Sequence, residues 1–151
     1  MLSRLRRQTV IFVCGFLFVL DRWLKYQALH GWASDRLVNR WLGWHLFFNS
    51  GVAFSIPVPG WLIVFLTMPV IALITYHLSR IMMKKGDRRY VIGDVGLLFI
   101  LLGAVSNFLD RVLYSHTIDY LLIFTGVINL ADVMIVAGFV VYFFVTQKTK
   151  N

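Results

Sequence analysis

Four stretches of this 151-residue chain are long and apolar enough to reach across a bilayer, and they limit its fold more than any other feature. They run from about Thr9 to Leu29, Gly60 to Ser79, Tyr90 to Leu109 and Ile128 to Thr146. Each approaches the roughly 20 residues a helix needs to cross about 30 Å of hydrocarbon. Pro69 lies inside the second, where membrane helices tolerate it. A water-soluble core could not hide this surplus: 59% of the residues are hydrophobic, 15% are charged, and mean hydropathy is +0.74. Soluble domains carry about a quarter charged residues. The expectation is one domain over 1–151, an all-α membrane protein with four transmembrane helices.

The net charge of +8 could point to nucleic acid, but its placement does not. Arg4, Arg6 and Arg7, then Arg80, Lys84, Lys85, Arg88 and Arg89, then Lys148 and Lys150 form short blocks between the apolar runs. Cytoplasmic loops of membrane proteins carry such blocks. Both termini and the middle loop are therefore expected in the cytoplasm, with the Arg36/Arg40 loop and the 111–127 loop outside. Basic residues ahead of Val10–Leu20 imitate a signal peptide, yet no small-residue cleavage site follows, so a retained first helix is expected. Cys14 is the only cysteine and reads as a small buried hydrophobe.

The seven acids are all Asp, and most collect at one depth. The first span ends with Asp21 and Lys25, four apart and so on one helix face. The third ends with Asn107, Asp110 and Arg111, and the fourth begins with Asn129 and Asp132. The intervening loop adds Asp119. Each such group costs a few kcal/mol if it faces lipid, so one shared, inward-facing polar site at the outer face is expected. Asp21–Lys25 and Asp110–Arg111 could be ion pairs that lock helix ends. Asp119 and Asp132 have no basic neighbour in sequence; His116 is nearest to Asp119.

Two unpaired carboxylates in a partly dry pocket share one proton, because like charges at close range push one pKa upward. Such a pair suits peptide hydrolysis: the ionised acid takes a proton from water while the protonated one polarises the carbonyl. The histidines, His30, His45, His77 and His116, lack metal-ligand spacing, and Ser115-His116 offers no oriented base. No metal or cofactor is expected. Asp94, at the inner start of the third span, suits a structural role at a helix N-terminus. A small transporter is the rival class, but its acids should lie near mid-membrane.

Five segments then carry a resemblance: Asp21-Arg-Trp-Leu-Lys25, Phe48-Asn49-Ser50-Gly51-Val52-Ala53-Phe54-Ser55, Asn107-Phe-Leu-Asp110-Arg111, Ile118-Asp119-Tyr120 and Asn129-Leu-Ala-Asp132. In this order they resemble the D-x-x-x-K, N-x-G-x-A-F, N-x-x-D-R, V-D-[FY] and N-x-A-D elements of the bacterial lipoprotein signal peptidases, or signal peptidase II. The resemblance spans essentially the whole chain. It implies that Asp119 and Asp132 are the catalytic dyad, that Asn49, Gly51, Asn107, Arg111 and Asn129 position substrate or dyad, and that Asp21, Lys25 and Asp110 support the site.

It also implies an aspartic endopeptidase of the bacterial inner membrane. The substrate would be a diacylglyceryl-modified prolipoprotein, cut before the lipidated Cys, and globomycin-type cyclic peptides would inhibit. Membrane lipids would be the other partners, and the protein would act as a monomer. The implied fold adds a small extracytoplasmic β-cradle and a short surface helix, with the cradle falling in the His30–Pro59 loop. A relative that binds lipopeptides without cutting them is a further alternative. Two departures stand out: Leu102 and Ser106 replace glycines common in the family, and the stretch from Asp119 to Asn129 is short and lacks a proline.

Overall fold

The computed structural model describes residues 2–32, 36–51, 58–83 and 91–148, with side chains over 8–32, 36–51, 58–80 and 93–145. Apart from Arg80, the basic side chains used to orient the chain lie outside these residues, as does the 52–55 part of the N-x-G-x-A-F segment. Four helices carry the fold: α1 (Leu2–Leu29), α2 (Gly60–Met83), α3 (Val91–Tyr114) and α4 (Leu130–Lys148). Within α2 and α3, Gly60–Arg80 and Gly93–Tyr114 are long and apolar enough to cross a membrane. Helix α4 offers a shorter apolar stretch, Leu130–Val145, and α1 carries Asp21, Arg22 and Lys25 near its end.

The packing is inverted relative to a soluble protein. Phe12, Phe16 and Val19 on α1, and Trp61, Phe65 and Met68 on α2, are exposed at helical spacing. Asp21, Lys25, Ser106, Asp110 and Asn129 are fully buried. This is the distribution expected when hydrocarbon is the solvent and polar groups must be satisfied from within. Helices α3 and α4 meet along small residues, as membrane helices often do. A Cβ on Gly96 would lie 2.6 Å from the Gly138 carbonyl oxygen, and one on Gly103 would lie 2.6 Å from that of Ala131. The second contact sits one residue before Asp132, so close approach at Gly103 helps set where the start of α4 lies against α3.

At one end the helices are joined to a four-stranded antiparallel sheet, ordered β1 (Arg36–Asn39), β2 (Leu42–Asn49), β3 (Thr117–Ile123) and β4 (Gly126–Ile128). The first two strands occupy the loop where a cradle was expected. The other two correct the sequence reading, which left 111–127 as loop and so put Asp119 on one. The short stretch is a tight β3–β4 hairpin, turned at Phe124, whose φ is 57°. Ser115, with φ 65°, ends α3 and swings the chain into β3. Strand β3 is covered on both faces from Thr117 to Tyr120, and its brief polar–apolar alternation over those four residues gives way to the continuous apolar run Leu121-Leu122-Ile123. Among the described residues no short surface helix occurs; 33–35 and 52–57 lie outside them.

Candidate active site

The polar clusters converge at the sheet end of the bundle, in two linked groups. The first is ionic. Lys25 Nζ lies 3.1 Å from Asp21 Oδ2 and 2.7 Å from Asp110 Oδ2, and Arg22 pairs with Asp110 from the other side. Ser106 Oγ donates to Asp21 Oδ2 at 2.5 Å. Asp110 therefore pairs across to α1, and the expected Asp110–Arg111 pair is not formed. Adjacent residues on a helix point in different directions, and Arg111 instead donates from Nη2 to the Gly51 carbonyl oxygen at 2.6 Å. Sequence reasoning missed Arg22 and read Ser106 only as a small packing residue.

The second group contains Asp119 and Asp132, each with both oxygens engaged by nitrogen donors. Asp119 accepts from Asn49 Nδ2 at 3.1 Å and from Asn129 Nδ2 at 2.5 Å. Asp132 accepts from Asn107 Nδ2 at 2.8 Å and from the Asn129 backbone N–H at 3.2 Å. The strand register explains the first contact: Asn49 pairs with Thr117, two residues from Asp119 and on the same face. Asn129 is the N-cap of α4. Its Oδ1 accepts the Asp132 N–H at 2.9 Å, and Asp132 returns a carboxylate to the Asn129 N–H, a reciprocal capping box. Asn129 thus touches both acids, its side-chain amide on Asp119 and its backbone on Asp132.

Asn107 joins the two groups, because its Oδ1 accepts from Lys25 Nζ at 2.8 Å while its amide holds Asp132. On the other side Asn49 Oδ1 accepts the Gly51 N–H at 3.1 Å. With Arg111 on its carbonyl, Gly51 is held at both ends of its own backbone. Arg111 also lines an apolar groove of about 540 Å³ between the start of α2 and the end of α3, walled by Trp61, Val64, Phe65 and Met68. Its Nη1 is buried without a hydrogen-bond partner among the described residues. His116 turns away from Asp119, edge-on to Phe48 with ring centroids 4.5 Å apart.

Among the described residues, neither Asp119 nor Asp132 forms an ion pair with a cation. Burial first, and the nearby Asp132 charge second, push Asp119 up to about 7, against 3.8 for an ordinary Asp, although the Asn49 and Asn129 amides pull the other way. Two acids held by neutral amides, with one titrating near neutrality, can carry a single proton between them.

The signal peptidase II family model, described as "Signal peptidase (SPase) II", matches residues 13–147. The chain belongs to the signal peptidase II family. It is 32% identical to a lipoprotein signal peptidase of Listeria monocytogenes serotype 4b over 143 residues, covering 87% of this chain and 89% of that one. A lipoprotein signal peptidase of Neisseria meningitidis serogroup C is 30% identical over 130 residues, with 80% and 77% covered. A bacterial membrane enzyme solved at 2.3 Å shares the fold, with a TM-score of 0.77 at 19% identity over 95% of this chain and 90% of that one. A second, solved at 1.9 Å, gives a TM-score of 0.72 at 20% identity over 93% and 94%. Family membership makes the chain a signal peptidase and leaves the small-transporter reading without support.

Proposed function

We propose that the chain is an aspartic endopeptidase that cuts the signal peptide from diacylglyceryl-modified prolipoproteins before the lipidated Cys, with Asp119 and Asp132 as the catalytic dyad. One observation carries the reading. Asn129 bonds both acids, and among the described residues neither forms an ion pair with a cation, so the pair is positioned without its charge being fixed. In the reaction the ionised acid takes a proton from water, and the resulting hydroxide adds to the scissile carbonyl carbon. The protonated acid donates to the carbonyl oxygen. Collapse of the tetrahedral intermediate breaks the C–N bond: the leaving nitrogen takes the proton that the water gave up, and a hydroxyl of the intermediate returns its proton to the acid that had donated, restoring the pair.

Asn49, Gly51, Asn107, Arg111 and Asn129 hold dyad and substrate, and Asp21, Lys25 and Asp110 support them. The groove beside Arg111 is apolar, a setting suited to an acyl chain next to the cut peptide. All four helices cross the bacterial inner membrane in this reading, with both termini cytoplasmic and the sheet end outside. Globomycin-type peptides inhibit, and the monomer is the working unit.

The test is purified protein given a synthetic diacylglyceryl-Cys precursor peptide, with and without globomycin. Asp119→Asn and Asp132→Asn should each lower cleavage by at least about 10³-fold, the scale of general acid–base catalysis, while the folded protein stays in the membrane. Full activity in either variant would refute the dyad. Binding of the peptide without cleavage by the parent would favour the lipopeptide-binding alternative.

A further inference from the structure

Tyr120 has no role in the chemistry above, yet it is 1% exposed and is the largest fully buried side chain among the described residues. Its hydroxyl accepts the Leu130 N–H at 3.0 Å and donates to Asp21 Oδ1 at 3.1 Å. The same Asp21 oxygen accepts the Ala131 N–H at 3.1 Å. A helix start leaves four N–H groups without intrahelical partners. Here the four, on Asn129, Leu130, Ala131 and Asp132, go to Asp132, Tyr120, Asp21 and Asn129. Two of the four partners therefore come from other elements of the fold, one from β3 and one from α1.

The placement of those two matters. Tyr120 follows Asp119 in β3, and Leu130 and Ala131 immediately precede Asp132 in α4. Strand alternation sends Asp119 and Tyr120 to opposite faces, so Tyr120 grips α4 from the face away from the acid. Asp21 is itself fixed, by Ser106 Oγ at 2.5 Å and Lys25 Nζ at 3.1 Å. Burial and the Asp21 charge push the Tyr120 hydroxyl above the ordinary phenol range, which keeps it an O–H donor. The ring stacks on Trp44 and packs with Ala28 and Ile118, so its position does not depend on the hydroxyl alone.

We propose that Tyr120 and Asp21 form a positioning pair that sets the separation of Asp119 and Asp132, by tying the backbone beside one acid to the backbone beside the other. This rests on the dyad reading and gives Asp21 a second duty, as a cap on α4 supplied by another helix. A modest misplacement of reacting groups costs up to about 100-fold in rate, so the pair acts through geometry and touches no substrate.

The experiment uses full-length Tyr120→Phe, Asp21→Asn and the double variant, assayed with the diacylglyceryl-Cys precursor peptide across pH. Tyr120→Phe keeps the ring and removes only the tether. Its kcat should fall roughly 10- to 100-fold with KM unchanged. The alkaline limb of its pH profile should move to lower pH, because acids that drift apart hold their shared proton less tightly. Asp21→Asn should move the profile the same way, and the double variant should lose no more than the worse single one. A parental kcat and pH profile in Tyr120→Phe overturns the proposal. So does a loss of kcat that tracks thermal stability while the profile stays in place. If Tyr120→Phe does not fold, Asp21→Asn decides by its kcat at the optimum, where a parental value overturns the proposal, because loss of the Asp21 charge shifts the profile by itself. The dyad reading fails separately, through activity retained in Asp119→Asn or Asp132→Asn.

Discussion

Two sets of carboxylates lie in the same end of this bundle, and they are held in opposite ways. Asp21 and Asp110 are answered by cations, Lys25 between them and Arg22 at the edge. Asp119 and Asp132 are answered by amides: Asn49, Asn107 and both parts of Asn129. A cation fixes a carboxylate in its charged state, whereas an amide fixes its position and lets the proton come and go. In the proposed reading, then, the ionic set supplies rigidity and the amide set supplies chemistry. Asn107 is the joint, with one end on Lys25 and the other on Asp132.

That division can be broken from either side. Removing the ionic set should cost the most stability. Lys25→Ala leaves two buried carboxylates short of a cation, a loss of about 3–5 kcal/mol, to be read as a lower unfolding midpoint and yield in detergent. If the purified variant is as stable as its parent but inactive, the supporting role is wrong. Next in size, Asn129→Ala strips the bond to Asp119 and the side-chain cap of α4. Bonds to charged groups contribute about 1.5–3 kcal/mol, so cleavage should fall roughly 10- to 100-fold, with a smaller loss of stability than in Lys25→Ala. A larger stability loss than activity loss would place Asn129 with the scaffold instead. Smallest, Arg22→Gln should cost only about 1 kcal/mol. Arg22 is partly exposed, and Asp110 keeps Lys25 and the Ile118 N–H. An effect as large as that of Lys25→Ala would mean the two cations share the burden.

Much of this was legible in the sequence because hydropathy and charge placement are read without knowing contacts. The starts of α2 and α3 follow closely from the apolar runs, although both helices continue past them to Met83 and Tyr114, and the polar residues at span ends do meet. What stayed hidden depends on direction. Asp110 and Arg111 are neighbours in sequence, but one turns to α1 and the other to Gly51. Asp119 sits on a strand buried on both faces, and the alternation of Thr117-Ile118-Asp119-Tyr120 is too short to betray it before Leu121-Leu122-Ile123; Thr125-Gly126, where the turn passes into β4, was the available signal. Asn129-Leu-Ala-Asp132 could have been read as a capping box, which would have placed the helix start and the paired contacts together. Ser106 and Tyr120 gave no local sign, since their partners lie 85 and 99 residues away.

The raised Asp119 pKa also has a thermodynamic face. The Asp119 carboxyl titrates at about 7 in the fold against 3.8 for an ordinary Asp. A raised acid pKa contributes stability that is full below the lower value and is lost as pH rises through the higher one. Across that window the parent should become less stable as pH rises, and Asp119→Asn should lack this slope. A parallel slope in the variant would assign it to another group.

The most direct measurement is the infrared band of the protonated carboxyl group, taken as the difference between the parent and folded Asp119→Asn across pH. A carboxylic C=O band should persist through weakly acid pH and disappear with a midpoint near 7, accompanied by loss of cleavage over the same range. A band that vanishes near 3.8, leaving both acids ionised while the enzyme is fully active, would contradict it.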